Sequence, residues 1–147
     1  MPPTRIGPAA IAARILLVPY VTVLALIVWL PESAASRVTG IVYRLARFAS
    51  DHTGISMNAG YTAFEFLANI ALFAPFGLLV AAAWPRTNAW WIFLLGFSAS
   101  AAIELVQTMI PGRVTALSDV IANTLGMVVG CLIARVFASV TRPVATR

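Results

Sequence analysis

The chain has 147 residues, of which 61% are hydrophobic and only 10% charged, and its mean hydropathy is +0.91. A soluble domain is about half apolar and a quarter charged, so this composition excludes a soluble globular protein and points to a single all-α membrane domain over residues 1–147. The net charge of +5 comes from arginine alone, with no lysine. It carries topological information rather than a nucleic-acid footprint, so no nucleic-acid partner is expected.

Four apolar runs approach the roughly 20 residues needed to cross a hydrocarbon core. They lie at about 15–30, 61–84, 89–110 and 120–138. The first, "ILLVPYVTVLALIVWL", follows Arg5 and Arg14, and the small residues Ser33–Ser36 lie beyond it. A signal peptide shares these features; the reading adopted is an uncleaved anchor.

The loop after it holds Val38, Ile41, Val42, Leu45 and Phe48 at helical spacing, with Arg37, Arg44 and Arg47 on the other side. An amphipathic helix is expected over about 37–49. It can lie in the membrane interface with its arginines near lipid phosphates, or pack over the bundle mouth. The turn-rich "DHTGISMNAG" then leads into the second span.

The second span carries Glu65 and Asn69 near its start, then Pro75 as an expected kink and Gly77. Trp84, Trp90 and Trp91 stand where an interfacial aromatic belt belongs. In the third span Ser100, Glu104 and Gln107 share one face by their i, i+4, i+7 spacing. Pro111-Gly112 turns the chain, and Arg113 sits in that connection. The fourth span places Asp119 in its first turn and Asn123 one turn on. Gly126 and Gly130 follow on the same face as a G-x-x-x-G pair, which lets another backbone approach, in the same chain or in a second copy. Cys131 is alone and reads as a small packing residue.

With the N-terminus inside, the inner side holds Arg5, Arg14, Arg86, Arg135, Arg142 and Arg147, against Arg37, Arg44, Arg47 and Arg113 outside. The bias and the short "PRTN" connection put both termini in the cytoplasm. "EFLAN" at 65–69 and "DVIAN" at 119–123 both open an inward-running helix, which hints at two repeated hairpins related by an axis along the membrane normal. The third span's Glu104 and Gln107 have no counterpart in the first.

Ionisable groups inside a bilayer are costly and face the bundle interior or a wet cavity. Glu65, Asn69, Glu104, Gln107, Asp119 and Asn123 are therefore expected to line an outer-leaflet polar pocket. Arg113 would be its nearest cation, able to hold a carboxylate or phosphate through a bidentate fork. Each residue also has a plainer reading. Asp119 can serve as a helix-start charge, Glu65 can reach interfacial water, and the two asparagines can be interhelical hydrogen-bond glue.

"NIALFAPFG" (69–77), "IELVQ" (103–107) and "GRVTALSDVIANTLGMVVG" (112–130) together resemble the VanZ-like family of small bacterial membrane proteins. The shared pattern falls on Asn69, Phe73, Pro75 and Gly77, then Glu104 and Gln107, then Gly112, Arg113, Asp119, Asn123, Thr124 and Gly126. The match covers about half the chain; the N-terminal third offers no motif beyond an expected first span. The resemblance implies a bacterial plasma membrane and an association with resistance to teicoplanin-type lipoglycopeptides. It implies no settled mechanism.

Three functions follow from the residues together with what the resemblance implies. The first is a non-catalytic protein whose pocket engages membrane lipid, a lipid-linked cell-wall precursor or a lipoglycopeptide. The second is an enzyme acting on a lipid phosphate or ester, with Glu104 or Asp119 as base and Arg113 stabilising charge. It is the weaker reading, because His52 is the only histidine and the G-x-S-x-G elbow is absent. The third is an accessory subunit whose polar groups only lock helices together. No cofactor and no metal is expected, although oxygen ligands from Glu65, Glu104 and Asp119 would suit magnesium or calcium.

Overall fold

The computed structural model describes residues 7–29, 32–109 and 115–140. Among these are five α-helices and no strand: α1 (Pro8–Trp29), α2 (Glu32–Thr53), α3 (Met57–Ala83), α4 (Ala89–Gln107) and α5 (Leu117–Val140). α1, α3, α4 and α5 are long and apolar enough to cross a membrane, which makes this a multi-pass membrane protein. Large apolar side chains such as Val18, Leu26, Leu105 and Phe137 face outward, as lipid contact requires.

Local chemistry sets the helix ends. Pro8 occupies the first position of α1, where a missing N–H costs nothing, and Ala10 and Ile11 donate back to the Gly7 carbonyl. Gly54, at φ +72°, ends α2 in the left-handed conformation that favours glycine. Ser56 then caps α3, its Oγ accepting from Ala59 N at 3.3 Å. Pro85 follows the end of α3, and Asn88 caps α4 by accepting from Trp90 N at 3.0 Å.

The helices overrun the apolar runs that mark them in the sequence. α1 starts at Pro8 rather than near Ile15, so Arg14 lies within the helix instead of before it. Its Nε donates to the Ala83 carbonyl at 3.2 Å and its guanidinium stands 5.4 Å from the Trp84 ring centre. A long side chain that carries its charge to the helix ends in this way lets a helix continue past a formal boundary. α2 likewise spans more than the expected 37–49.

α3 and α5 form the centre. They run parallel, since Asn69 meets Asp119, Ile70 meets Gly126 and Ala74 meets Gly130. Without a hydrophobic drive between helices in lipid, close van der Waals contact does the joining. A methyl added at Gly126 would stand 2.6 Å from the Ile70 oxygen, and methyls at Gly77 and Gly130 would overlap the Met127 and Ala74 carbonyls. The G-x-x-x-G face is thus filled by α3 of the same chain. Pro75 lies on the exposed side of α3.

α1 packs antiparallel on α3, with Tyr20 Oη donating to the Leu72 carbonyl. α4 packs antiparallel on α5, where Gly96 lies over Met127. Phe73, Ile92, Met127 and Cys131 are buried at the junction of these helices. α2 crosses the start of α3 through Val42 and Ala46, the latter against Gly60. Its Ile41, Leu45 and Phe48 stay exposed beside Arg44 and Arg47, so the helix has both an apolar and a basic uncovered face.

Candidate functional site

The polar residues of three spans meet at the end of the bundle that α2 covers. Asn69 Nδ2 on α3 donates to Asp119 Oδ1 on α5 at 3.1 Å. Asn123, one turn below Asp119, donates through Nδ2 to Ser100 Oγ on α4 at 2.9 Å. Ser100 Oγ in turn points at the Asp119 main-chain oxygen, 3.5 Å away, a marginal bond. α5 is thereby tied to α3 above and to α4 below. Ser100, Asn123 and Thr124 are buried; Asn69 and Asp119 are half-buried.

The single face predicted for Ser100, Glu104 and Gln107 serves three partners. Ser100 joins α5. Glu104 Oε2 accepts from Ala116 N at 3.1 Å, bracing the chain just before α5 begins. That position also sets a negative charge beside the positive end of the α5 dipole. Gln107 turns the other way, its Nε2 donating to the Val28 carbonyl of α1 at 3.0 Å. The face radiates rather than converging on one cup.

Glu65 is exposed on α3, yet close enough to Asp119 for the two carboxylates to feel each other's charge. The matching pentapeptides also diverge: Asn69 bonds a carboxylate at half burial, whereas Asn123 bonds a hydroxyl in full burial. Asn123 Oδ1 is the buried side-chain oxygen without a partner among the described residues. Exchanging its amide oxygen and nitrogen would leave the other atom in the same position, because Ser100 offers one hydroxyl. Arg113, with Pro111 and Gly112, lies outside the described residues. No group of three or more histidine, cysteine, aspartate or glutamate side chains suited to a metal occurs among the described residues.

Beside this network lies a cavity of about 280 Å³ between α1, α3 and α4. Leu24, Val28, Phe73, Phe76, Ile103 and Val106 are among its lining, which is almost wholly apolar. It meets the polar cluster where Gln107 reaches Val28, a residue of the cavity wall. Hydropathy does not reveal it, because every lining side chain reads simply as membrane span. Tyr20 is a second feature that spacing missed; a lone phenol in an apolar run was its signal.

The family model described as VanZ/LLP1 matches residues 17–138. No curated protein and no solved structure matches the chain. The match covers most of the sequence and takes in the second half of the first span, and the chain therefore belongs to the VanZ-like family.

Proposed function

We propose that this member of the VanZ-like family is a non-catalytic envelope protein that engages an amphiphile at the α2 end of the bundle. The observation that carries the reading is the adjacency of a polar network through Asp119, with Glu104 beside it, to an apolar cavity at the small end of the ligand-pocket range. An amphiphile needs that pairing: polar partners for a head and a dry slot for a chain. The best candidates are a lipid-linked cell-wall precursor or a lipoglycopeptide of the teicoplanin type, with Arg113 as the cation for an anionic head.

In this reading the α2 end faces outward in a bacterial plasma membrane and both termini are cytoplasmic. α2 lies in the outer interface, its exposed Ile41, Leu45 and Phe48 in lipid and Arg44 and Arg47 near phosphates. Sequestering the amphiphile there would reduce access of a lipoglycopeptide to its target.

The mutual bonding of Asn69, Asp119, Ser100 and Asn123 favours one competing reading, in which the network only joins helices. Asp119→Asn separates the two, since an asparagine retains an acceptor for Asn69 and loses the charge. A sensitive Gram-positive host would carry wild type, Asp119→Asn or Glu104→Gln at equal membrane abundance. Reduced susceptibility to teicoplanin but not vancomycin with wild type, abolished by either substitution, is expected. Unchanged susceptibility with folded wild type would sink the resistance role. A lowered folded yield in both variants, with resistance intact per folded molecule, would leave the helix-joining role.

A further inference from the structure

We infer that the opposite end of the bundle, around the α3–α4 turn, binds the phosphate headgroup of an anionic phospholipid through Arg86 and Arg135. The carboxylates of the chain are segregated along the helix axes. All five carboxylates, Glu32, Asp51, Glu65, Glu104 and Asp119, belong to α2 or to the parts of α3, α4 and α5 beside it. The far end has Arg14, Arg86 and Arg135 and no acidic residue. Positive charge is therefore concentrated there.

Two of these arginines reach one short stretch from different helices. Arg14 reaches the Ala83 carbonyl from α1, and Arg135 Nη2 reaches the Thr87 carbonyl from α5 at 2.9 Å. A bond to a neutral carbonyl leaves the guanidinium charge intact and occupies one of its five donors. Arg86 sits exposed on the turn between those two contacts. Arg14 is half-buried between Ala83 and Trp84 and positions the turn, whereas Arg86 and Arg135 are exposed and supply the binding charge.

The anion that fits is a phosphodiester carried by a lipid. Trp84, Trp90 and Trp91 are exposed around the turn, as side chains at a membrane–water boundary are, and Val136 and Phe137 next to Arg135 face lipid. A headgroup at that depth meets the guanidinium groups while its chains lie along α5.

The experiment is native mass spectrometry of the full chain released from detergent with equal phosphatidylglycerol and phosphatidylcholine. Retained lipid is counted for wild type, Arg86→Gln, Arg86→Gln/Arg135→Gln and the control Gly40→Ala, a position in α2 where an added methyl meets nothing within 4 Å. Each arginine near the surface contributes about fivefold to anionic-lipid binding, so the double variant should lose about 25-fold of its preference for phosphatidylglycerol. Arg86→Gln alone, on an exposed turn, should lose about fivefold, which keeps the test valid if the double variant misfolds. The control should retain the wild-type preference. Wild type without preference, equal loss in the control, or full displacement by millimolar inorganic phosphate would each overturn the site.

Discussion

The α3–α5 contact and the α1–α4 gap lie within one small bundle and are built on opposite terms. At the first, glycines on both helices bring backbone against backbone, and Met127, Phe73 and Cys131 seal the remaining space. At the second, two helices of similar apolarity have little contact among the described residues and enclose a cavity of about 280 Å³, bridged by Gln107 reaching Val28. Hydropathy is the same on both sides of the comparison. What differs is side-chain size, and in lipid size decides whether helices join.

The largest break in that comparison should come from Gly130→Ala. A methyl there overlaps the Ala74 carbonyl, a backbone atom that cannot turn aside, so α3 and α5 must separate. Overpacking costs about 1–3 kcal/mol in ordinary cores, and this site should reach the upper part of that range or fail to fold. Unfolding midpoints in detergent measure it. Gly40→Ala is the internal control: nothing lies within 4 Å of a methyl at that position in α2, and the change should be neutral or stabilising by up to about 1 kcal/mol. Equal losses at both positions would show that glycine serves these helices in some way other than close approach.

The two regions were unequally legible in the sequence. The four spans, the central glycines and the Asn69, Asp119 and Asn123 turn positions follow from hydropathy and i, i+4 spacing, because a helix in lipid must satisfy its own backbone and bury its polar groups. Spacing along one helix does not say which neighbour a side chain will reach. Ser100, Glu104 and Gln107 share a face, yet they bond α5, the segment before α5, and α1 respectively. Arg14 was misleading for the same reason: its charge reads as a boundary until Ala83 and Trp84 are known to receive it. The cavity was invisible because it depends on how two helices fail to meet.

The gap should respond to filling in the opposite sense. Ala25 is half-buried on α1 and lines the cavity, so Ala25→Leu adds apolar volume where none is opposed. A gain of about 1 kcal/mol is expected, within the range that cavity filling commonly yields. If the cavity takes the chain of an amphiphile, the same substitution should also abolish any teicoplanin effect of the wild type while raising the unfolding midpoint. Stability and function would then move in opposite directions, which Gly130→Ala cannot produce. A lowered midpoint instead would mean that the cavity is already closed by small motions of α1, and that its volume is not available to a ligand.

The smallest effect should come from Gln107→Leu. Interhelical hydrogen bonds in membranes average about 0.6 kcal/mol, since the separated helices find other partners, so removing the bridge to Val28 should disfavour the α1–α4 approach by only about threefold. Thermal unfolding would barely register it. Spin labels on Leu26 and Leu105, both exposed on α1 and α4, would resolve it in a Cys131→Ala background as a broader and longer distance distribution. The separate packing of α1 on α3 and of α4 on α5 would persist, because neither passes through Gln107. An unchanged distribution would mean that those two contacts alone set the width of the gap. In that case Gln107 is held at Val28 because both helices are already where they belong, and the bond reports the geometry of the cavity without maintaining it.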